Sequence, residues 1–187
     1  MKILFICSNL IGDTVLSTGV INYLQKKYPH ASFTFVIGPN AKPLLKNFNN
    51  IEKIILIKKK KYNFHWIEIL FFNFKNNWDI VIDLKSSILS FFLKSKKKYI
   101  FKKKSDVHHI EQLSETFNFD CSNLIIPTSK DEEKIANSSI DNKFKHIVVF
   151  PGGNWKPKIW DTENFNFIIK KINTKYKYVK FILVGSK

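Results

Sequence analysis

The sequence predicts an α/β protein: an N-terminal Rossmann-like domain on a parallel sheet, then the start of a second Rossmann-like domain. Three observations carry this. The apolar run Lys2-Ile-Leu-Phe-Ile-Cys7 feeds Ser8-Asn-Leu-Ile-Gly12-Asp13, and a helix-forming stretch follows to about Tyr28-Pro29. The run His146-Ile-Val-Val-Phe150 repeats the arrangement, feeding Pro151-Gly-Gly-Asn-Trp-Lys-Pro-Lys158-Ile-Trp160 and a helix through about Tyr176. Between the two junctions, apolar runs alternate with helical patterns, as parallel sheets require. A buried strand that delivers a loop to a helix N-terminus is where such folds hold ligands.

Taken in order, strands are expected at 2–7, 32–37, 54–57, 79–83 and 98–101, each bounded by turn residues. Helices are expected between them at 13–28, 40–47, 63–76 and 86–94. After Lys104 the alternation stops. Residues 108–118 read as a helix, Pro127 interrupts the chain, and Lys130 to Asn137 reads as a short charged helix. The polar stretch 138–145 reads as an interdomain linker. A strand at 146–150, a helix and a strand from Tyr178 to Val184 follow. The domains are therefore drawn as 1–143 and 144–187, the second incomplete, because two strands and a helix leave sheet edges uncovered.

Composition narrows the function classes. With 44% apolar residues and 18 Phe, the chain can bury a sizeable core. Two cysteines, Cys7 and Cys121, offer neither a disulfide framework nor zinc spacing, which fits a reducing cytoplasm. The apolar run at 3–7 is too short for a secretory leader. No stretch reaches the roughly 18 apolar residues of a membrane span. The nearest, Trp78 to Leu93, carries Asp79, Asp83 and Lys85, so a soluble or peripheral protein is expected.

The net charge of +16 is made of lysine alone, without a single arginine. Arginine supplies the planar fork that reads phosphates and guanine edges, so no nucleic-acid partner is expected. Lysines cluster at 58–61, 96–98 and 102–104. A solvated surface, or a patch facing anionic membrane, accounts for them.

Asp13 closes the first loop. It reads either as a helix N-cap or as a carboxylate at the strand's carboxyl end that accepts a proton from a sugar hydroxyl. Gly12 beside it lets a ligand approach the backbone. With one glycine in this loop, the dinucleotide fingerprint is missing. Asp83 ends the fourth strand and reads as a cleft-lining acid or a turn former. Ser86 and Ser87 read as acceptor contacts or caps. His108 and His109 are adjacent and so cannot chelate one ion well. No Asp-x-Asp pair offers to hold a metal on a diphosphate.

These residues carry a resemblance. Met1-Lys-Ile-Leu-Phe-Ile, Ile11-Gly-Asp-Thr-Val-Leu-Ser-Thr-Gly-Val-Ile and Gln25-Lys-Lys-Tyr-Pro resemble the opening of glycosyltransferase family 9, the ADP-heptose:lipopolysaccharide heptosyltransferases and relatives. Trp78-Asp-Ile-Val-Ile-Asp-Leu-Lys-Ser-Ser, Phe150-Pro-Gly-Gly-Asn-Trp-Lys-Pro-Lys-Ile-Trp and Phe181-Ile-Leu-Val-Gly185 resemble later segments of that family, in the same order. The resemblance implies a GT-B fold with an N-terminal acceptor domain and a C-terminal nucleotide-sugar domain. It implies an inverting, metal-independent sugar transfer, without a cofactor, from a nucleotide-diphosphate donor such as ADP-heptose. The implied acceptor is lipid-linked, lipopolysaccharide core or a related surface glycan.

Residue by residue, the resemblance makes Asp13 the general base. Lys158, with amides around Gly152 and Gly153, would neutralise the leaving diphosphate, although Lys158 also reads as one more surface lysine. The implied setting is the bacterial cytoplasm, peripheral on the inner face of the inner membrane. The family's later donor-site elements would fall after Lys187, so the chain reads as C-terminally truncated. The alternative is a non-catalytic remnant or half-enzyme subunit that binds acceptor or a partner.

Overall fold

A computed structural model describes residues 1–57, 76–153 and 156–185, which divide into two compact units, 1–128 and 129–187. The first unit runs β1 (Lys2–Ile6), α1 (Ile11–Lys27), β2 (Ser32–Ile37), short α2 (Lys42–Leu45), β3 (Ile51–Leu56), β4 (Trp78–Asp83), single-turn α3 (Leu89–Phe92), β5 (Ser95–Ile100) and α4 (His109–Phe117). Its sheet has the order β3-β2-β1-β4-β5, every pair parallel.

The strand alternation sorts side chains to two faces. Ile3, Phe5, Phe33, Phe35, Ile80 and Ile82 pack with Val20, Ile21 and Leu24 of α1 and Leu113 and Phe117 of α4. Leu4, Ile6, Val36 and Val81 join Ile57 and Leu93 in the second cluster. Being covered on both faces explains why β1 reads as unbroken hydrophobic sequence.

Edge strands behave differently. β3 and β5 each begin three residues before their expected starts, at Ile51 and Ser95. Glu52, Lys53, Lys96 and Lys97 are exposed there, so no hydrophobic signal marks those strand halves. Charge on an edge also discourages pairing with a foreign strand. The helix expected at 86–94 shrinks to α3, because Asp83 folds the residues after it into a turn. The helix expected at 63–76 lies, but for Asn76, outside the described residues, as does the lysine cluster 58–61.

The buried side of α1 is largely small and polar: Thr14, Ser17, Thr18, Gly19 and Asn22, beside Val20, Ile21 and Leu24. The hydroxyls of Ser17 and Thr18 donate to the carbonyls of Thr14 and Val15, each at 2.7 Å. Asn22 donates to the carbonyls of Asn123 and Ile125, both at 3.1 Å. Gly19 permits this approach, since a Cβ there would lie 1.9 Å from the Cys121 carbonyl oxygen.

The second unit comprises α5 (Lys130–Ser139), β6 (Lys145–Val149), α6 (Thr162–Lys175) and β7 (Val179–Leu183). Helix α5 groups with it, whereas the sequence places that segment with the first domain. Ser129 and Glu132 form a capping box that starts α5, and the helix absorbs the first two residues of the expected linker. β6 and β7 pair in parallel, Lys145 opposite Val179. Among the described residues, no helix is long and apolar enough to cross a membrane.

Candidate functional site

In the first unit, β2 and β3 lie on one side of β1, and β4 and β5 on the other. Connections leaving β1 and β4 therefore diverge at their carboxyl ends, the position where open α/β sheets bind ligands. The loops there are Cys7 to Leu10 and Leu84 to Ser87.

The first loop leaves the sheet with the Cys7 N–H still bonded to the Val36 carbonyl at 2.9 Å. Cys7 is buried, with Sγ 3.3 Å from Ser17 Oγ and 3.6 Å from Thr14 Oγ1. Burial pushes its thiol above the ordinary cysteine value, against those hydrogen bonds, so it packs rather than reacts.

Helix α1 starts at Ile11 behind an extended Leu10 that provides no side-chain cap. Asp13 is thus the third helical residue, not the N-cap weighed from sequence. Its charge lies in the first turn, where the helix dipole favours an acid. Ser8 Oγ donates to Asp13 Oδ2 at 2.9 Å and accepts from the Leu10 N–H at 3.2 Å. One oxygen of a half-buried carboxylate is therefore oriented by the loop. Gly12 is exposed, and a Cβ there would meet nothing within 4 Å, so space lies open over the backbone beside Asp13.

Asp83 is wholly buried. Its Oδ1 accepts from the Lys85 N–H at 2.8 Å, and its Oδ2 accepts from the Ser87 N–H and hydroxyl, each at 2.7 Å. Three donors commit this carboxylate to the turn, which is the turn-forming role weighed from sequence. Ser86 sits at φ 51°, and its hydroxyl donates to the Phe101 carbonyl. Both residues shape the crevice wall through backbone geometry.

Four further residues near this crevice have roles that the sequence does not assign. Ser8 orients Asp13. Asn9 Oδ1 is buried and accepts no hydrogen bond among the described residues. It lies close against Gly38, where a Cβ would come 3.0 Å from Asn9 Cα, tighter than ordinary van der Waals contact. His109 opens α4 with its ring 4.9 Å from that of Phe101. Burial holds its pKa below the usual histidine value, opposed by the charge of Asp13 and reinforced by Lys103 and His108. Gln112, buried in α4, fixes the loop before it by accepting from the Lys104 N–H at 2.7 Å and donating to the Lys104 carbonyl at 2.9 Å.

The remaining candidates belong to the second unit. Gly152 and Gly153 are exposed in the loop after β6, with no positive φ at either, and Lys158 ends a single exposed 3-10 turn, Lys156–Lys158. Trp160 meets Phe165 edge to face at 5.1 Å. Trp155, which like Trp160 reads from sequence as a ring for stacking on a base or sugar or as a core residue, lies outside the described residues. The fold thus gathers Gly12, Asp13, Asp83 and Ser86 at one end of one sheet, and gathers Gly152, Gly153 and Lys158 in one loop of the other unit. Among the described residues, no group of three His, Cys, Asp or Glu is placed to hold a metal ion. An oriented carboxylate beside open backbone can accept a proton from a hydroxyl placed against it.

No protein-family model and no curated protein matches the chain. Solved structures do. A family 9 glycosyl transferase from Veillonella parvula superposes with a TM-score of 0.75 at 21% identity, over 99% of this chain and 62% of its own. The E. coli heptosyltransferase WaaC with ADP gives 0.69 at 13% identity, over 100% of this chain and 68% of its own. The E. coli ADP-heptose lps heptosyltransferase II gives 0.70 at 16%, over 100% and 65%. The chain therefore has the α/β fold of these GT-B glycosyltransferases over its length, and spans about two thirds of theirs.

Proposed function

We propose that the chain is the acceptor side and the beginning of the donor side of an inverting glycosyltransferase of family 9. Asp13 is its general base. The observation that carries this reading is the carboxylate of Asp13, held by Ser8 at the carboxyl end of β1, in a fold shared with heptosyltransferases. Asp13 removes the proton from an acceptor hydroxyl as that oxygen attacks the anomeric carbon. The nucleotide diphosphate leaves from the opposite face, so the anomer inverts.

Lys158 and the amides near Gly152 and Gly153 serve the leaving diphosphate, where fixed positive groups stabilise developing charge. The chemistry draws on no metal and no cofactor. A solved neighbour is described with ADP, and another with ADP-2-deoxy-2-fluoro heptose. These ligands support a nucleotide-sugar donor such as ADP-heptose. The acceptor in this reading is lipopolysaccharide core or a related lipid-linked glycan on the cytoplasmic face of the bacterial inner membrane.

The test is transfer of sugar from ADP-heptose by a protein containing this chain, comparing wild type with Asp13→Ala. Loss of a general base is expected to lower kcat by about 10²–10⁴ while leaving ADP binding intact. Wild-type transfer by Asp13→Ala would sink the assignment of the base. Failure of the wild-type protein to bind ADP would sink the donor class and favour a non-catalytic binding role.

A further inference from the structure

The connection between β4 and β5 holds three large apolar side chains in water. Ile88, Phe91 and Phe92 are 75%, 69% and 58% exposed. They are not on a loose loop. In the same turn Ser90 is fully buried, with its hydroxyl on the Ser87 carbonyl at 2.9 Å, and Leu93 is 1% exposed within the cluster formed by Leu4, Ile6 and Val81. Two buried residues fix α3 while three apolar ones point outward. Apolar side chains scattered singly on a surface need no explanation, but a rigid group of them marks an interaction site.

The strand that follows supplies charge. β5 is an edge of the sheet, and Lys94 just before it and Lys96, Lys97 and Lys98 along it are exposed. Lys98 Nζ donates to the Phe91 carbonyl at 3.1 Å, which ties the lysine row to the aromatic turn. Lys96 pairs with Asp79 at 2.6 Å, whereas Lys94, Lys97 and Lys98 have no acidic side chain within ion-pair distance among the described residues. Apolar groups flanked by ammonium groups on long stems match the depth profile of a bilayer interface. Acyl chains receive the first, and anionic headgroups meet the second.

We propose that α3 and β5 dock this chain on an anionic lipid surface, with Ile88, Phe91 and Phe92 inserting and Lys94 and Lys98 meeting headgroup phosphates. The assignment rests on exposure and charge alone and stands whether or not the chain transfers sugar.

Co-sedimentation with vesicles tests it, using phosphatidylcholine alone and phosphatidylcholine mixed equally with phosphatidylglycerol. Binding is expected on the mixed vesicles only. Replacing Phe91 and Phe92 together by serine is expected to lower the partition coefficient more than about tenfold. Lys94→Gln and Lys98→Gln should each lower it about fivefold, the equivalent of about 1 kcal/mol per basic residue near the surface. Lys26→Gln with Lys27→Gln, exposed in the last turn of α1 on the opposite face of the sheet from Leu93, should together change it by less than about twofold.

A second probe separates insertion from adsorption. A Phe91→Cys variant can be labelled at the new thiol with an environment-sensitive fluorophore, because Cys7 and Cys121 are both buried. Its emission should move to the blue on mixed vesicles and stay unchanged with a DNA duplex. No binding to mixed vesicles, wild-type partitioning of the serine variant, or a blue shift with duplex instead of vesicles would each overturn the proposal.

Discussion

The two strand–loop–helix junctions of this chain share a pattern and differ in their surroundings. β1 lies between β2 and β4, and Ile3, Leu4, Phe5 and Ile6 are all 0% exposed. β6 pairs with β7 alone among the described residues, and Val148 and Leu183 are left 63% and 68% exposed. The helices repeat the contrast. α1 buries eight residues, whereas α6 buries none and leaves Phe167 60% exposed. Ile-Leu-Phe-Ile and His-Ile-Val-Val are both strand-forming, so the difference lies in the neighbours. Burial is conferred by what packs on a strand from both sides, not by its own composition.

The sharpest way to break this comparison is to remove one phenylalanine from each unit. Phe35 is fully buried against Phe5 at a ring distance of 5.7 Å, so Phe35→Ala should cost about 3–5 kcal/mol in urea unfolding. Phe167→Ala should stay within about 0.5 kcal/mol. Equal losses would mean that α6 is covered in solution.

Glycines give the next largest effect. Gly19→Ala places a Cβ against the Cys121 carbonyl and should cost about 3 kcal/mol, read as a lowered melting temperature. Gly152→Ala meets nothing within 4 Å and should change stability by less than about 0.5 kcal/mol. In the second unit, local hydrogen bonds matter more than packing. Ser129→Ala removes the capping box of α5 and should cost about 1 kcal/mol, visible as faster amide exchange in its first turn.

The smallest effect is a dependence on pH at the edge of the crevice. Folding lowers the proton affinity of His109, so the unfolded chain binds this proton more readily. The contribution is neutral above the ordinary histidine value of 6.5, and stability falls as pH drops below it toward the native value. His109→Gln should flatten that acid-side slope. Asp13→Asn removes the opposing charge and should lower the His109 pKa further, which an NMR titration of the ring protons would follow. An unmoved titration would place the two residues electrostatically apart.

Much of this was legible in the chain itself. β1, β2 and β4 are mostly apolar and stand within a residue of where periodicity puts them, because each is covered on both faces. β3 and β5 were half hidden, since an edge strand can carry Glu52, Lys53, Lys96 and Lys97 at no cost in burial. At the site, the spacing from β1 located Gly12 and Asp13, because strand and helix patterns bracket a short loop. Ser8 and His109 were not legible as neighbours of Asp13. The first depends on how the loop turns, and the second on α4 returning to the crevice after β5.

By itself the sequence determined the alternation of strands and helices, and hence a parallel α/β sheet with an acid at the end of its first strand. Local periodicity and turn chemistry act over a few residues, and they need no knowledge of the rest of the chain. Only the tertiary structure decided what each polar group does. Asp83, which on sequence reads as a cleft-lining acid or a turn former, is spent on three donors of its own turn, while Asp13 keeps one oxygen oriented by Ser8 beside open space. A carboxylate's role follows from the donors around it, and those donors come from residues whose positions the fold alone sets.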